Sequence, residues 1–154
     1  MTAPWTSSST IAHVQILLDS FRHWLGQDLI PRSTPLTDAE QLFHASFVVL
    51  SHGTQADPIL NYGNATALQL WEMEWDALTQ MPSRLTAEPE LQQARSQQLA
   101  LAAQQGYFTN YEGVRISRTG QRFLIQQATL WKLLDAEGNP YGQAATFSHW
   151  QRLP

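Results

Sequence analysis

The apolar positions of the chain change their period several times, and each change marks an element. From Thr10 they recur at steps of three and four, as Ile11, Val14, Leu17, Leu18, Phe21, Trp24 and Leu25, the spacing of one helical face. Ser9 or Thr10 is placed to cap this helix and Gly26 to stop it. Before it, residues 1–9 are small, polar and Pro-containing and read as a frayed end. After it, Gln27 to Pro35 reads as a linker. Thr37-Asp-Ala-Glu40 has the form of a capping box, opening a short helix to about Ala45 that presents Leu42 and Phe43.

The pattern then turns extended. Phe47 to Leu50 is an apolar run, followed by turn residues at Gly53 and Asp57-Pro58 and a second run from Pro58 to Tyr62. Asn64 can cap a helix from Ala65 to about Met73 that carries Leu68 and Trp71. Trp75 to Met81 adds a turn or two, and Pro82 ends it. Thr86 is placed to cap a further helix to Gln105, with Glu88 in its first turn and Gly106 as its stop. Only Leu91, Leu99 and Leu101 relieve its run of Gln, Ala, Ser and Arg, so it reads as partly exposed.

The last third reads as β. Val114 and Ile116 alternate with Arg115 and Ser117, and Thr119-Gly120 makes a hairpin turn. A strand from Arg122 to about Leu134 puts Phe123, Ile125, Gln127, Thr129, Trp131 and Leu133 on one face by strict alternation. Asp135 to Pro140 is a turn, and Tyr141 to Ser148 a final strand. Two strands, a helical middle and a three-stranded meander make an antiparallel α+β domain.

Composition narrows the function classes. At 154 residues the chain is the size of one domain. A formal net charge of −4 argues against a nucleic-acid partner gripped by its phosphates, which needs a basic face. The absence of Cys excludes disulfides, thiolate zinc, iron–sulfur clusters and cysteinyl-flavin photochemistry. No run is long and apolar enough for a membrane span, and no basic n-region precedes an apolar stretch, so no membrane partner and a cytoplasmic location are expected. Six Trp are a heavy load, since each buried indole N–H needs an acceptor.

The order of elements resembles the PAS fold, and Ile59-Leu-Asn-Tyr-Gly-Asn64-Ala65 is similar to the PAS pattern of a strand ending at a helix-capping Asn. Word matches are more specific. Phe47 to Gly53 (FVVLSHG), Asp57 to Asn64 (DPILNYGN), Leu70 to Met73 (LWEM) and Met81 to Arg84 (MPSR) look like hallmark segments of the MEKHLA domain, a PAS-like family. So do Thr86 to Glu88 (TAE), Gly113 to Ser117 (GVRIS), Gly120 to Phe123 (GQRF) and Gly142 to Phe147 (GQAATF). The resemblance implies a five-stranded antiparallel sheet in order 2-1-5-4-3, with helices over one face and an N-terminal flanking helix. Residues 1–35 would form the flexible N-terminus, flanking helix and linker, and residues 36–150 the domain itself, in a stand-alone bacterial or cyanobacterial-type member. It also implies a sensory or regulatory module, not an enzyme, that binds a small molecule between sheet and helices. Such a module would act through dimer or partner contacts, with the N-terminal helix as the homodimer surface. The ligand and any cofactor stay unknown. The competing readings are a cone-like enzyme of the ketosteroid-isomerase type and an interaction domain whose cavity is filled by its own side chains.

Tyr62, Trp71, Trp75, Arg84, Phe123, Gln127 and Trp131 are the residues expected to meet a ligand. The aromatics can line a cavity for a flat molecule or simply pack a core. Arg84, beside a helix start, is an anion site or an ion-pair partner of Glu74 or Glu88. Gln127 is a polar group on an apolar face and needs a partner. Arg115 and Arg118 read as residues of a solvated sheet face. His52 and His44 are haem-ligand types without a second ligand at a recognisable spacing, so His52 reads as a turn residue and no metal site is expected. Ser51, His52 and Asp57 do not make a triad, because adjacent strand residues point to opposite faces.

Overall fold

The structure, a computed structural model, describes residues 3–154. After a 3-10 turn at Pro4–Thr6, helix α1 spans Ser8–Leu25. Ser7 caps it, accepting from the Thr10 amide at 3.2 Å, and Gly26 ends it in the left-handed region at φ 72°. Helix α2 spans Pro35–Phe43, and its cap is Thr34, not Thr37. Pro35 at the first helical position has no N–H to satisfy and a preset φ, so the helix starts there. The Thr34 hydroxyl then accepts from the Thr37 amide.

Strands β1, Val48–His52, and β2, Leu60–Gly63, precede helices α3, Ala65–Trp71, and α4, Trp75–Leu78. Asn64 caps α3 as its position predicts, and it does more than cap. Wholly buried, its Oδ1 accepts from the amides of Val49 and Ala67, both at 3.1 Å. Its Nδ2 donates to the carbonyls of Leu42 at 3.1 Å and Phe47 at 2.8 Å. One amide thus ties the end of α2, the start of β1 and the start of α3.

Thr86 does not cap the next helix. It lies in a 3-10 turn, Ser83–Thr86, with its hydroxyl donating to the Ser83 carbonyl. Helix α5, Pro89–Gln105, begins behind Glu88, again with Pro at its first position. Strand β3, Tyr107–Ile116, starts at once after Gly106, whose φ of +97° leaves the Trp24 ring where a Cβ would stand. Strands β4, Arg122–Leu134, and β5, Pro140–Phe147, complete the meander, and β6, His149–Arg152, pairs with the first part of β4. The sheet order is β2-β1-β5-β4-β3, all antiparallel. This is the order the resemblance implies, with β6 added.

Two bulges decide which side chains face which side. In β4, Gln127 adopts φ 54°, and the β3–β4 pairing slips opposite it, near Asn110 at φ 58°. An inserted residue shifts a period of two by one position. Phe123 and Ile125 therefore share the front core with Ala128 and Leu130, whereas Trp131 and Leu133 join the back core. The uninterrupted alternation read from the sequence is corrected here, and Gln127 itself is exposed. In β2, Tyr62 and Leu60 pair with the consecutive residues Ser51 and His52. The extra Asn61 sends Leu60 to the front and Tyr62 to the back.

Helices cover both faces. On the back, α1 lays down Val14, Leu17, Leu18 and Phe21, joined by Ala39 and Leu42 of α2. Each fully buried aliphatic or Phe side chain contributes roughly 1.5–3 kcal/mol, so the apolar face of α1 is taken up by its own sheet. On the front, Ala67, Leu70 and Trp71 of α3, Leu78 of α4 and Ala102 of α5 close over the sheet. Among the described residues no helix is long and apolar enough to cross a membrane.

Candidate functional site in the front cavity

Between the front of the sheet and helices α3 and α5 lies a cavity of about 60 Å³. That is well above the roughly 10–15 Å³ a single water needs, so it has room for a small cluster of waters. Leu50, Leu60, Trp71, Ile125, Leu130 and Phe147 supply most of its wall. Its polar rim comes from His52 at the end of β1, Arg95 in the middle of α5, Tyr111 and Arg115 on β3, and Gln143 on β5.

Each of these side chains has an identifiable cause for its place. His52 follows Leu50 by two along β1 and so shares its face. Its Nδ1 donates to the Gly53 carbonyl at 2.9 Å, which assigns the proton of the neutral ring to Nδ1 and leaves a lone pair on Nε2. That Nε2 is buried without a partner. Burial, with the nearby Arg95 charge, lowers the His52 pKa against the opposing pull of the Gly53 carbonyl and Gln143, so the ring is neutral at pH 7.

Arg95 lies on the stripe Leu91, Arg95, Leu99, Ala102, the one face of α5 that packs inward. Its Nε–H is buried without an acceptor. Burial and the neighbouring Arg115 pull its pKa down to about 10, still charged at pH 7. Arg115 is also buried; its Nη2 donates to the Tyr111 hydroxyl at 2.8 Å and its Nη1 to the Val114 carbonyl at 2.9 Å. Gly113 makes this fold-back possible, because a Cβ there would sit 2.8 Å from both Arg115 Nη1 and the Tyr111 hydroxyl. The solvated position expected for Arg115 is therefore corrected. Its alternation partners Tyr111 and Gly113 carry it inward.

Trp71 ends α3 above the cavity. The β3–β4 hairpin clamps this end: the Arg118 amide donates to the Trp71 carbonyl at 3.0 Å, Arg118 Nε to the Glu72 carbonyl at 3.0 Å, and Ser117 Oγ to Glu72 Oε2 at 2.6 Å. The Trp71 ring stands edge-on to Phe123, 5.1 Å between centroids. Its indole N–H is buried and has no acceptor.

Of the seven residues expected from sequence, the structure brings only Trp71 to the cavity wall, with Phe123 packed behind it. Tyr62 and Trp131 belong to the back core, sent there by the bulges in β2 and β4, and Trp75, at the start of α4, packs partly buried against the same core. Trp131 donates its indole N–H to the Leu17 carbonyl at 3.1 Å. Arg84 is half-exposed and pairs with Asp57 at 3.2 Å, not with Glu74 or Glu88. Gln127 points to solvent from its bulge. Ser51 and His52 do face opposite ways: Ser51 Oγ meets His13 Nε2 at 2.8 Å on the back and donates to Asn61 Oδ1 at 2.6 Å. Sequence reasoning missed Arg95 and Gln143. The helical stripe through Arg95 was the readable signal; Gln143 had none.

Among solved structures, the chain is similar to a PAS domain from Colwellia psychrerythraea at TM-score 0.64 and 13% identity, covering 76% of this chain and 94% of that one. A structure described under "Flavin Analogue Sheds Light on Light-Oxygen-Voltage Domain Mechanism" aligns at TM-score 0.60 and 16% identity over 77% and 85% of the two chains. At such identities the likeness is one of fold. In sequence it is similar to the homeobox-leucine zipper proteins ATHB-9 and ATHB-14 of Arabidopsis thaliana, 26% identical over 151 residues and 27% over 150. These alignments take in 94% of this chain but only 18% of either plant protein. The MEKHLA domain model matches residues 11–152, from the first turn of α1 onward, and the chain belongs to the MEKHLA domain family.

Proposed function

We propose that the chain is a PAS-like regulatory module that takes a small molecule into the front cavity and passes its occupancy on through contacts with a partner or a second copy. One observation carries this reading. Three polar groups from three different elements, His52 Nε2 on β1, Trp71 Nε1 on α3 and Arg95 Nε on α5, are buried without partners, and all three residues line the same void. Buried polar atoms are bonded in the great majority of cases, so a convergence of orphans around a cavity is what a ligand-binding site shows before it is filled. The clamp between the end of α3 and the exposed β3–β4 hairpin offers a route outward, since Trp71 cannot shift without moving Arg118.

Binding is favoured over catalysis by the lining itself. It contains one imidazole and no carboxylate, so an isomerase-type acid–base pair lacks half its members. A tricyclic flavin does not fit a cavity of about 60 Å³, and no Cys is present to form an adduct with one. Native mass spectrometry of the intact protein tests the reading. A retained small mass, or an apo mass that thermal-shift screening against small metabolites can stabilise, is the expected result. An apo mass with no stabiliser found would sink it.

A further inference from the structure

Positive charge is scarce in this chain, with nine Lys and Arg in all. Yet two of the arginines, Arg95 and Arg115, are more than nine-tenths buried at one cavity. They come from the middle of α5 and the end of β3, consecutive elements that fold back on each other at Gly106 and so bring the two side chains to one cavity. Neither takes part in any of the five ion pairs among the described residues, and no Asp or Glu lines the cavity. Arg115 is held in place by Tyr111, its guanidinium carbon 5.6 Å from the ring centroid, and by the Val114 carbonyl. Arg95 lines the cavity, and its buried Nε–H has no acceptor.

Buried cations normally have a counter-charge, since the low-dielectric interior penalises an unpaired one. Water can fill the space and accept hydrogen bonds, but it brings no negative charge. The donors around the void include two guanidinium groups and the Trp71 indole, and its acceptors, on His52, Thr86, Tyr111 and Gln143, are all neutral. His52 Nε2 adds a single lone pair that suits a hydroxyl donor.

We propose that the cavity binds a short-chain organic carboxylate whose negative group is held by Arg95 and Arg115 and whose small carbon body lies against Trp71, Ile125 and Phe147. This rests on the ligand-binding reading above and names the class of ligand. A cavity of about 60 Å³ suits a small acid such as acetate, propionate or lactate rather than a long-chain one. The apolar wall favours these over inorganic phosphate. The His52 lone pair favours a 2-hydroxy acid over the acid without the hydroxyl.

The test is a titration of the full chain, labelled with nitrogen-15, at constant ionic strength. Acetate, propionate and lactate are compared with the neutral propionamide and lactamide and with inorganic phosphate. Arg95→Met and Trp71→Phe assign the two reporter signals, Arg95 Nε–H and the Trp71 indole N–H. The acids are expected to shift both saturably, lactate at the lowest concentration, with each amide binding roughly tenfold or more weaker than its acid. Arg95→Met is expected to weaken lactate by roughly tenfold to a hundredfold, the loss typical of a charge-assisted hydrogen bond. Its apo melting temperature should hold or rise, because an unpaired buried charge is gone. Arg115→Met provides a second variant should the first fold poorly.

Amides binding as tightly as acids, phosphate binding more tightly than lactate, or full lactate affinity in both Arg variants would each overturn the carboxylate assignment and leave ligand binding standing. So would silence from every acid alongside a different retained molecule in the native mass spectrum. Silence from all probes, together with an apo mass and no stabiliser, removes both proposals.

Discussion

The two faces of the sheet are packed by helices in the same way and satisfied in opposite ways. On the back, Trp24 donates to the Lys132 carbonyl at 2.8 Å and Trp131 to the Leu17 carbonyl at 3.1 Å. Ser20 bonds both the amide and the carbonyl of Leu134, and His13 meets Ser51. On the front, Trp71 is as deeply buried as Trp131 and donates to nothing. Among the described residues the back has one orphan of its own, the Tyr62 hydroxyl, whose pKa burial pushes up. It is neutral, however, and no void with buried charges adjoins it. An isolated orphan is a local imperfection in packing; a set of orphans around a charged cavity is the observation on which the proposed binding site rests. On the proposed function, the back face is structural and the front face is the receptor.

The largest effect that can break this comparison is expected at Trp131. Replacing it with Ala removes a fully buried ring that packs edge-on with Phe21 at 5.1 Å and should cost roughly 3–5 kcal/mol in denaturant unfolding. A loss below about 1 kcal/mol would mean that α1 is not anchored to the sheet as described. Next comes His13, also buried on the back. Burial lowers its pKa from 6.5 to about 4, so the unfolded chain takes up its proton first as pH falls. Stability should therefore drop between about pH 6.5 and pH 4, by about 3 kcal/mol in all, with His52 adding a slope of the same sign. The Asp38 carboxyl, which burial would raise, is instead held below its usual value by Ser33, Gln15 and Arg32; its own loss falls at lower pH. In His13→Gln the curve over pH 4–6.5 should flatten markedly. An unchanged curve would place the acid sensitivity elsewhere.

Much of this architecture was legible in the sequence. The order of elements, the Asn64 cap and the Arg122–Leu134 strand follow from periodicity and turn chemistry, and the family words supply the sheet order. What was not legible is which face each strand residue takes. A Gln in the left-handed region carries no sequence signature, unlike a Gly, so nothing marked Gln127 as a bulge. Alternation carried past it sends Trp131 to the wrong side. The same blindness at Asn61 misplaces Tyr62. Helix starts failed differently: Thr37 and Thr86 are acceptable caps, but Pro35 and Pro89 set the start of their helices more strongly than either. Arg95 was hidden by composition, since one inward Arg in a Gln- and Ala-rich helix reads as solvated until its stripe with Leu91, Leu99 and Ala102 is drawn.

The smallest effect is the sharpest test, because it compares the two buried tryptophans by the same substitution. Trp→Phe at either position removes the indole N–H and some ring volume, so the packing losses are similar and nearly cancel between the two. The hydrogen-bond term does not cancel. Trp131→Phe abolishes a buried bond to Leu17, worth roughly 0.5–1.5 kcal/mol. Trp71→Phe removes a donor that has no acceptor in the ligand-free protein, which relieves a desolvation penalty instead. Unfolding of the apo protein should therefore show Trp131→Phe the more destabilised by about 1 kcal/mol or more. Equal losses would mean that Trp71 has a bonded partner in solution, a water held in the cavity being the simplest, and would weaken the contrast between the faces. Adding a ligand that engages the Trp71 indole should reverse the order, since Trp71→Phe alone forfeits that contact. The sign of the difference, read with and without ligand, thus reports whether the front face is a receptor or only a less well packed copy of the back.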